Sequence, residues 1–252
     1  GGSVAATVAT GLAALRAGVA RTTGLVTEQA ALRAAGLVEP ADIVTGGHDV
    51  TSTSLAKRAE DLAAAGVVPH DLPRLVAHDL DLASARVRPG YVVGAEDQRA
   101  AVDRLADDLR EFAAREGLAR VVVVNVSSTE APVDPHPAHL DRAALDHAWD
   151  RGESALPPSS VYAAAAFAAG CAFVDFTPSA GARLPVLEAM AHEAGMPWGG
   201  SDGKTGETLL KSVIAPMFAM RSLDVRSWAG TNLLGGGDGA TLASPDAARS
   251  KI

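Results

Sequence analysis

The spacing of apolar and polar positions changes repeatedly along the chain, and each change marks an element. GGSVAATVATGLAALRAG (1–18) reads as a glycine turn entering an alanine-rich helix that stops at Gly18. Thr27 is placed to cap a second short helix ending at Gly36. ADIVTGG (41–47) is a short apolar run cut by glycines, which predicts a strand followed by a turn. SLAKRAEDLAAAG (54–66) carries apolar residues at helical spacing with its charges on the other face, and 72–86 is also helical in pattern. EDQRAAVDRLADDLREFAAREG (96–117) is the clearest amphipathic helix, with Glu111 and Arg115 set as an i,i+4 pair.

In LARVVVVNVSS (118–128) the pattern becomes continuous and β-branched, as in a central parallel strand buried on both faces. TEAPVDPHPAHL (129–140) is a polar, proline-rich loop. A helix over 159–170, a buried strand in CAFVDFTPS (171–179) and a helix over 184–195 follow. TGETLLKSVIAPMFAMRSL (205–223) is mostly helix, kinked or interrupted at Pro216. VRSWAGTNLLGGGDG (225–239) reads as a strand running into a glycine-rich turn. Strands and helices alternate, so the expected fold is α/β, built from parallel βαβ units with right-handed crossovers. Ligands of such sheets bind beyond the carboxyl ends of the strands, and TGGHDV, VNVSSTE, DFTPS and TNLLGGGDG all fall there.

Composition narrows the function. With 252 residues, 48% of them hydrophobic, the chain has enough apolar material for a large core. A net charge of −8 argues against a nucleic-acid surface. No run of about 18 apolar residues predicts a membrane span. The single Cys171 allows no internal disulfide and fits a reducing, cytoplasmic setting, as does an opening GGSVAATV without a charged leader. The chain starts without Met and closes on SKI directly after a motif-like segment, so it reads as an incomplete copy of a longer protein.

Several stretches carry candidate chemistry. GGSVAATV is either the tail of a dinucleotide fingerprint, whose glycines let backbone N–H groups approach a pyrophosphate, or a plain turn before a helix. Asp49 follows a strand, where a carboxylate accepts from ribose hydroxyls or merely sits in a turn. Ser127, Ser128 and Thr129 either contact a cofactor or cap the next turn, and Thr177 and Ser179 stand in similar positions. His48 has no His or Cys at ligand spacing, His136 and His139 are expected to be solvated, and no metal is predicted. In GGSDGKTGETLLKS (199–212), Gly203-Lys204-Thr205 matches the end of a triphosphate-binding P-loop, but Trp198 stands where its first glycine belongs. What remains is a helix N-terminus beside Lys204, suited to a single phosphate or an oxyanion, and an Asp202–Lys204 pair suited to proton transfer.

Together these stretches resemble the inositol-3-phosphate synthase family, also called myo-inositol-1-phosphate synthase. GGSVAAT, GGHD, VSSTE, FTPS, SDGKTGET and NLLGGGDGATL…SK occur in that family's motif order across nearly the whole chain. The resemblance implies a Rossmann-like, doubly wound parallel sheet over 1–208 with its first strand missing. It implies the beginning of an α+β catalytic and tetramerisation domain over 209–252. It also implies an NAD-dependent homotetramer that turns glucose 6-phosphate into 1D-myo-inositol 3-phosphate by oxidation, enolisation, aldol closure and re-reduction. Gly1, Gly2, Ser3 and Val4 would line the pyrophosphate, and Asp49 would take the ribose. Arg99, Ser128, Thr129, Phe176 and Thr177 would lie along the cofactor. Asp202, Lys204, Thr205, Asn232, Asp238 and Lys251 would form this chain's part of the catalytic site. Lys211 lies seven residues after Lys204 on the same helix face. The family's remaining lysines would lie beyond residue 252, so this segment alone would lack activity. Lys204-Thr-Gly-Glu-Thr for K-S-G-Q-T, Gly236 for an Asn, and DFTPS for N-G-S-P depart from the family pattern at the substrate pocket. The competing readings are an NAD(P)-dependent sugar-phosphate dehydrogenase, a related cyclitol-phosphate synthase, or a non-catalytic NAD-binding protein.

Overall fold

The computed structural model describes residues 2–203, 206–230 and 245. Helix α1 (Ser3–Arg16) opens the chain. A single 3-10 turn at Val26–Glu28 precedes the four-residue α2 (Ala30–Arg33). Thr27 lies inside that turn and Gln29 holds the cap position without a side-chain bond, so the expected Thr27 cap does not form.

The first strand lies later than the pattern suggests. Residues 40–42 make a 3-10 turn, and β1 is Gly47–Asp49, so the glycines lead into the strand rather than out of it. Gly46 enters the strand at a close approach: a Cβ there would sit 2.9 Å from the Phe112 ring and 3.1 Å from the Arg86 side chain. Helices α3 (Leu55–Ala64), α4 (Leu72–Leu75) and α5 (Ala77–Ala85) lead to β2 (Val87–Pro89), which pairs in parallel with β1. The side chain of Ser54 caps α3 by accepting from Lys57 N at 3.1 Å.

Helix α6 (Gln98–Glu116) has the start and stop its sequence advertises: Asp97 accepts from Ala100 N at 2.9 Å, and Gly117 takes φ 64°. The Glu111–Arg115 contact is long at 3.9 Å, because Glu111 turns to Arg88 at 2.7 Å. Strand β3 (Val122–Asn125) then starts a second parallel sheet, which continues through α7 (Arg142–Asp150), α8 (Pro158–Ala168), β4 (Ala172–Asp175), α9 (Pro185–Ala194) and β5 (Trp198–Gly199). The strand order is β3-β4-β5, so β4 is central. The expectation for VVVV is corrected here. Val122 and Val124 are 54% and 48% exposed, because no described element covers their face of the sheet, whereas Val121 and Val123 pack on the core. His139 is also corrected: it is buried, with Nε2 2.8 Å from Ala155 O.

Two apolar clusters result. One joins α1, α3 and α5 through Ala6, Ala13, Leu62 and Leu80. The larger one joins α6–α9, β3 and β4 around Leu105, Leu145, Phe173 and Leu187. Alanines let these helices approach closely; Ala163, Ala164 and Ala166 of α8 are fully buried. One polar side chain pins the larger cluster. Gln98, 2% exposed, donates to Leu156 O at 2.8 Å and Tyr91 Oη at 3.3 Å, and accepts from Trp149 Nε1 at 3.0 Å and Leu156 N at 2.9 Å. Helix α10 (Gly206–Met220) contains Pro216 and buries none of its described residues. Residues 225–230 form no strand, and the rest of the strand-and-turn expectation at 231–239 lies outside the described residues. No described helix is long and apolar enough to cross a membrane.

Candidate active site at the carboxyl ends of the strands

Within each parallel sheet the carboxyl ends share a side: those of β1 and β2 in one sheet, those of β3, β4 and β5 in the other. At β1, Asp49 is half-buried and its Oδ1 accepts from Thr51 N at 2.8 Å and Thr51 Oγ1 at 3.0 Å. Its carbonyl accepts from Gly90 N at 2.8 Å, tying the turn after β1 to the end of β2. Behind it, the His48 side chain is only 8% exposed and its Nε2 lies 3.2 Å from Asp108 Oδ2. Burial depresses the His48 pKa, outweighing the opposing hydrogen bond to Asp108. A neutral ring donating from Nε2–H fits that contact.

The loop after β3 lies beside the start of α1, where a Cβ on Gly2 would stand 3.9 Å from Val126 O. Gly2 and Val4 are exposed and Ser3 is half-buried there. The first turn of α1 has N–H groups without helical acceptors, which suits an anionic diphosphate. Ser128 is exposed on the β3 loop and Thr129 is half-buried. Phe176 is 42% exposed. Its carbonyl accepts from Gly203 N at 3.2 Å, and its ring lies against Gly203, leaving no room for a side chain. That contact brings the segment carrying Asp202 onto the end of β4. Asp202 takes φ 125°, a conformation that non-glycine residues rarely adopt and that gathers at functional sites.

Two expected cofactor residues have other partners. Thr177 is 5% exposed; its hydroxyl donates to Asp175 Oδ1 at 2.7 Å and accepts from Ser179 N at 3.1 Å. Arg99 faces α7, paired with Asp146 at 3.1 Å and Asp150 at 2.8 Å, and lies 5.5 Å over the Trp149 ring. Gly1, Lys204, Thr205, Asn232, Asp238 and Lys251 lie outside the described residues. Lys211 pairs with Glu207 at 2.8 Å on α10.

Sequence reasoning missed the polar layer under these loops. Asn125 and Asp175 close β3 and β4 and are 7% and 3% exposed. Glu130 accepts from Ser159 N at 2.6 Å and Ser159 Oγ at 2.5 Å. Burial pushes both the Asp175 and the Glu130 carboxyls above the usual carboxylate range, against their hydrogen bonds. The available signal was the first polar residue ending each apolar run, in VVVVN and CAFVD.

A family model for the NAD-binding part of myo-inositol-1-phosphate synthase matches residues 1–246. The inositol-3-phosphate synthase 1 of Bacteroides thetaiotaomicron is 33% identical across the whole chain, which covers 63% of that protein. The inositol-3-phosphate synthase of Spirodela polyrhiza is 32% identical over 85% of the chain and 44% of its own length. The chain thus spans between about two fifths and two thirds of these curated relatives. Among solved structures, an inositol-3-phosphate synthase from Caenorhabditis elegans superposes with a TM-score of 0.65 at 19% identity, over 85% of this chain and 44% of that one. A myo-inositol-1-phosphate synthase-related protein from Thermotoga maritima gives 0.62 at 24%, over 88% and 57%. These two likenesses are of fold, and they agree with a Rossmann-like sheet. With a family model matching residues 1–246, a curated relative 33% identical across the whole chain, and the motif order of its sequence, this chain belongs to the myo-inositol-1-phosphate synthase family.

Proposed function

We propose that the protein carrying this chain converts glucose 6-phosphate into 1D-myo-inositol 3-phosphate, the entry step of inositol biosynthesis, using a bound NAD that ends each cycle unchanged. The observation that carries this reading is the match to the synthase family over residues 1–246. Residues 1–208 are the NAD-binding domain and 209–252 the start of a catalytic and oligomerisation domain. The intact protein is a cytoplasmic homotetramer that binds neither nucleic acid nor membrane.

The residues present fit a dinucleotide. Gly2 leaves the start of α1 uncovered for a diphosphate, Asp49 is half-buried in a turn held by Thr51, and the exposed Ser128 and Phe176 with the half-buried Thr129 follow β3 and β4. Bound there, NAD would accept a hydride from the sugar and later return it. The chain's own residues have other tasks. Gly1, Gly2, Ser3 and Val4 hold the pyrophosphate, and Asp49 orients a ribose. Thr177 and Arg99 act from behind, shaping the loop after β4 and bracing α6 on α7. Asp202, Lys204, Thr205, Asn232, Asp238 and Lys251 hold the sugar phosphate and stabilise oxyanions, since cationic groups in a water-poor site lower the energy of an enolate.

The test is an assay of the intact protein with glucose 6-phosphate and NAD. Acid-stable inositol phosphate without NADH accumulation is expected. Stoichiometric NADH would establish a dehydrogenase instead, and NAD binding without turnover a silent binder. Lys251→Ala should reduce turnover at least 100-fold, the scale of losing an oxyanion partner, while NAD affinity stays within about twofold. A matching loss of NAD binding would place that lysine at the cofactor.

A further inference from the structure

Beneath the two cofactor-facing loops lies a buried polar knot to which no role has been assigned. Asp175 sits at its centre, 3% exposed. Its Oδ1 accepts three hydrogen bonds, from Asn125 Nδ2 at 3.1 Å, Thr177 N at 2.8 Å and Thr177 Oγ1 at 2.7 Å. Its Oδ2 is buried with no hydrogen-bond partner among the described residues. That oxygen packs against Gly181, where a Cβ would overlap it.

Asn125 carries the knot across to the other loop, where its Oδ1 accepts from Ser127 N at 3.2 Å and Ser127 Oγ at 2.7 Å. On the β4 side, Ser179 N donates to Thr177 Oγ1 at 3.1 Å, and Ser179 Oγ accepts from Glu130 N at 3.1 Å. Segments 126–130 and 176–179 are therefore held to each other through side chains that spend their bonds inward. The exposed Ser128 and Phe176 stand on the outer surface of these segments.

A buried carboxylate that used its charge would need both oxygens satisfied. Here one atom does all the accepting, which an amide oxygen does equally well. The charge itself has no bonded counterpart: Arg183, the nearest cation acting on Asp175, donates its own hydrogen bonds to the carbonyls of Pro178, Ser179 and Ala180. We propose that Asp175 is a positioning residue that fixes the loops after β3 and β4 beneath the cofactor, and that it works as a hydrogen-bond acceptor and not as a charge or a proton carrier. Its carboxyl is held above the usual range by burial, in keeping with that role. The proposal rests on the reading that NAD lies along these strand ends.

The test measures NAD affinity calorimetrically and thermal midpoints of the intact protein for five variants. Asp175→Asn keeps the Oδ1 acceptor, so its NAD affinity and turnover should stay within about twofold of the unmodified protein. Asp175→Ala and Asn125→Ala should each weaken NAD about tenfold or more, and the double variant should be little weaker than either alone, because the two side chains act as one unit. Thr177→Val keeps the shape while removing the hydroxyl, and should weaken NAD even if Asp175→Ala fails to fold. If Asp175→Asn loses turnover or NAD as fully as Asp175→Ala, the charge is used and the proposal falls. If Asp175→Ala, Asn125→Ala, their double variant and Thr177→Val all bind NAD like the unmodified protein, the positioning role falls while the NAD site stands. An unmodified protein that does not bind NAD would overturn the functional reading first.

Discussion

Single residues at the strand ends show how tightly this site is specified. Gly181 combines φ 49° with direct contact of its Cα face on Asp175. Gly181→Ala adds left-handed strain to an overlap with buried atoms, so a loss of about 2–4 kcal/mol is expected, measured as a fall in the urea unfolding midpoint. His48 provides a pH-dependent case. Its folded pKa is depressed, so the folded state binds fewer protons than the unfolded chain below about pH 6.5. The stability it supports is complete above that value and lost as pH falls through the depressed one. Unfolding free energies of the unmodified protein and of His48→Gln, measured by urea titration from pH 7.5 downward, should converge as acid is added. Asp175 and Glu130 act with the opposite sign: raised pKa values favour the folded state at low pH, and that contribution is lost as pH rises from about 4. Little of this residue-level chemistry was legible in the sequence. Asn125 and Asp175 are 50 positions apart, and their pairing exists only once β3 and β4 are in register, Asn125 opposite Asp175.

Elements were legible where local signals agreed. Helix α6 was readable because an Asp cap, an amphipathic run and a left-handed glycine all point to the same boundaries. Strands β2 and β5 were not readable, since three residues reading VRP and two reading WG are too short for periodicity and are set by parallel neighbours. Helix α7 went unread behind a proline-rich loop, although Asp141 caps it by accepting from Ala144 N at 2.8 Å. Its attachment to α6 depends on Gln98. Gln98→Leu would leave Trp149 Nε1 and both Leu156 backbone groups without that partner in a dry core, so a loss of about 3 kcal/mol is expected in calorimetric or urea unfolding. Asparagine at the same place is too short to reach all its partners and should rescue only part of that loss.

At the scale of the whole molecule, the expected α/β class was right, but the place of its most apolar strand was not. VVVV belongs to a strand with a single neighbour among the described residues, and periodicity cannot report which neighbours a strand lacks. Cofactor binding should act on the molecule as a unit: at an NAD concentration 100 times the Kd, stability should rise by about 2.7 kcal/mol, read as an NAD-dependent shift in the thermal midpoint. The tryptophans make that shift visible without a label. Trp149 is 5% exposed and has the guanidinium groups of Arg99 and Arg142 5.5 and 5.7 Å from its ring. Its emission reports whether α6 and α7 remain together. Trp198 is 36% exposed on β5, one residue before the 199–203 segment. Trp228, 38% exposed with Lys211 Nζ 5.5 Å from its ring, emits with it, so the protein carries one buried fluorophore for its integrity and two exposed ones that a ligand added in solution can reach.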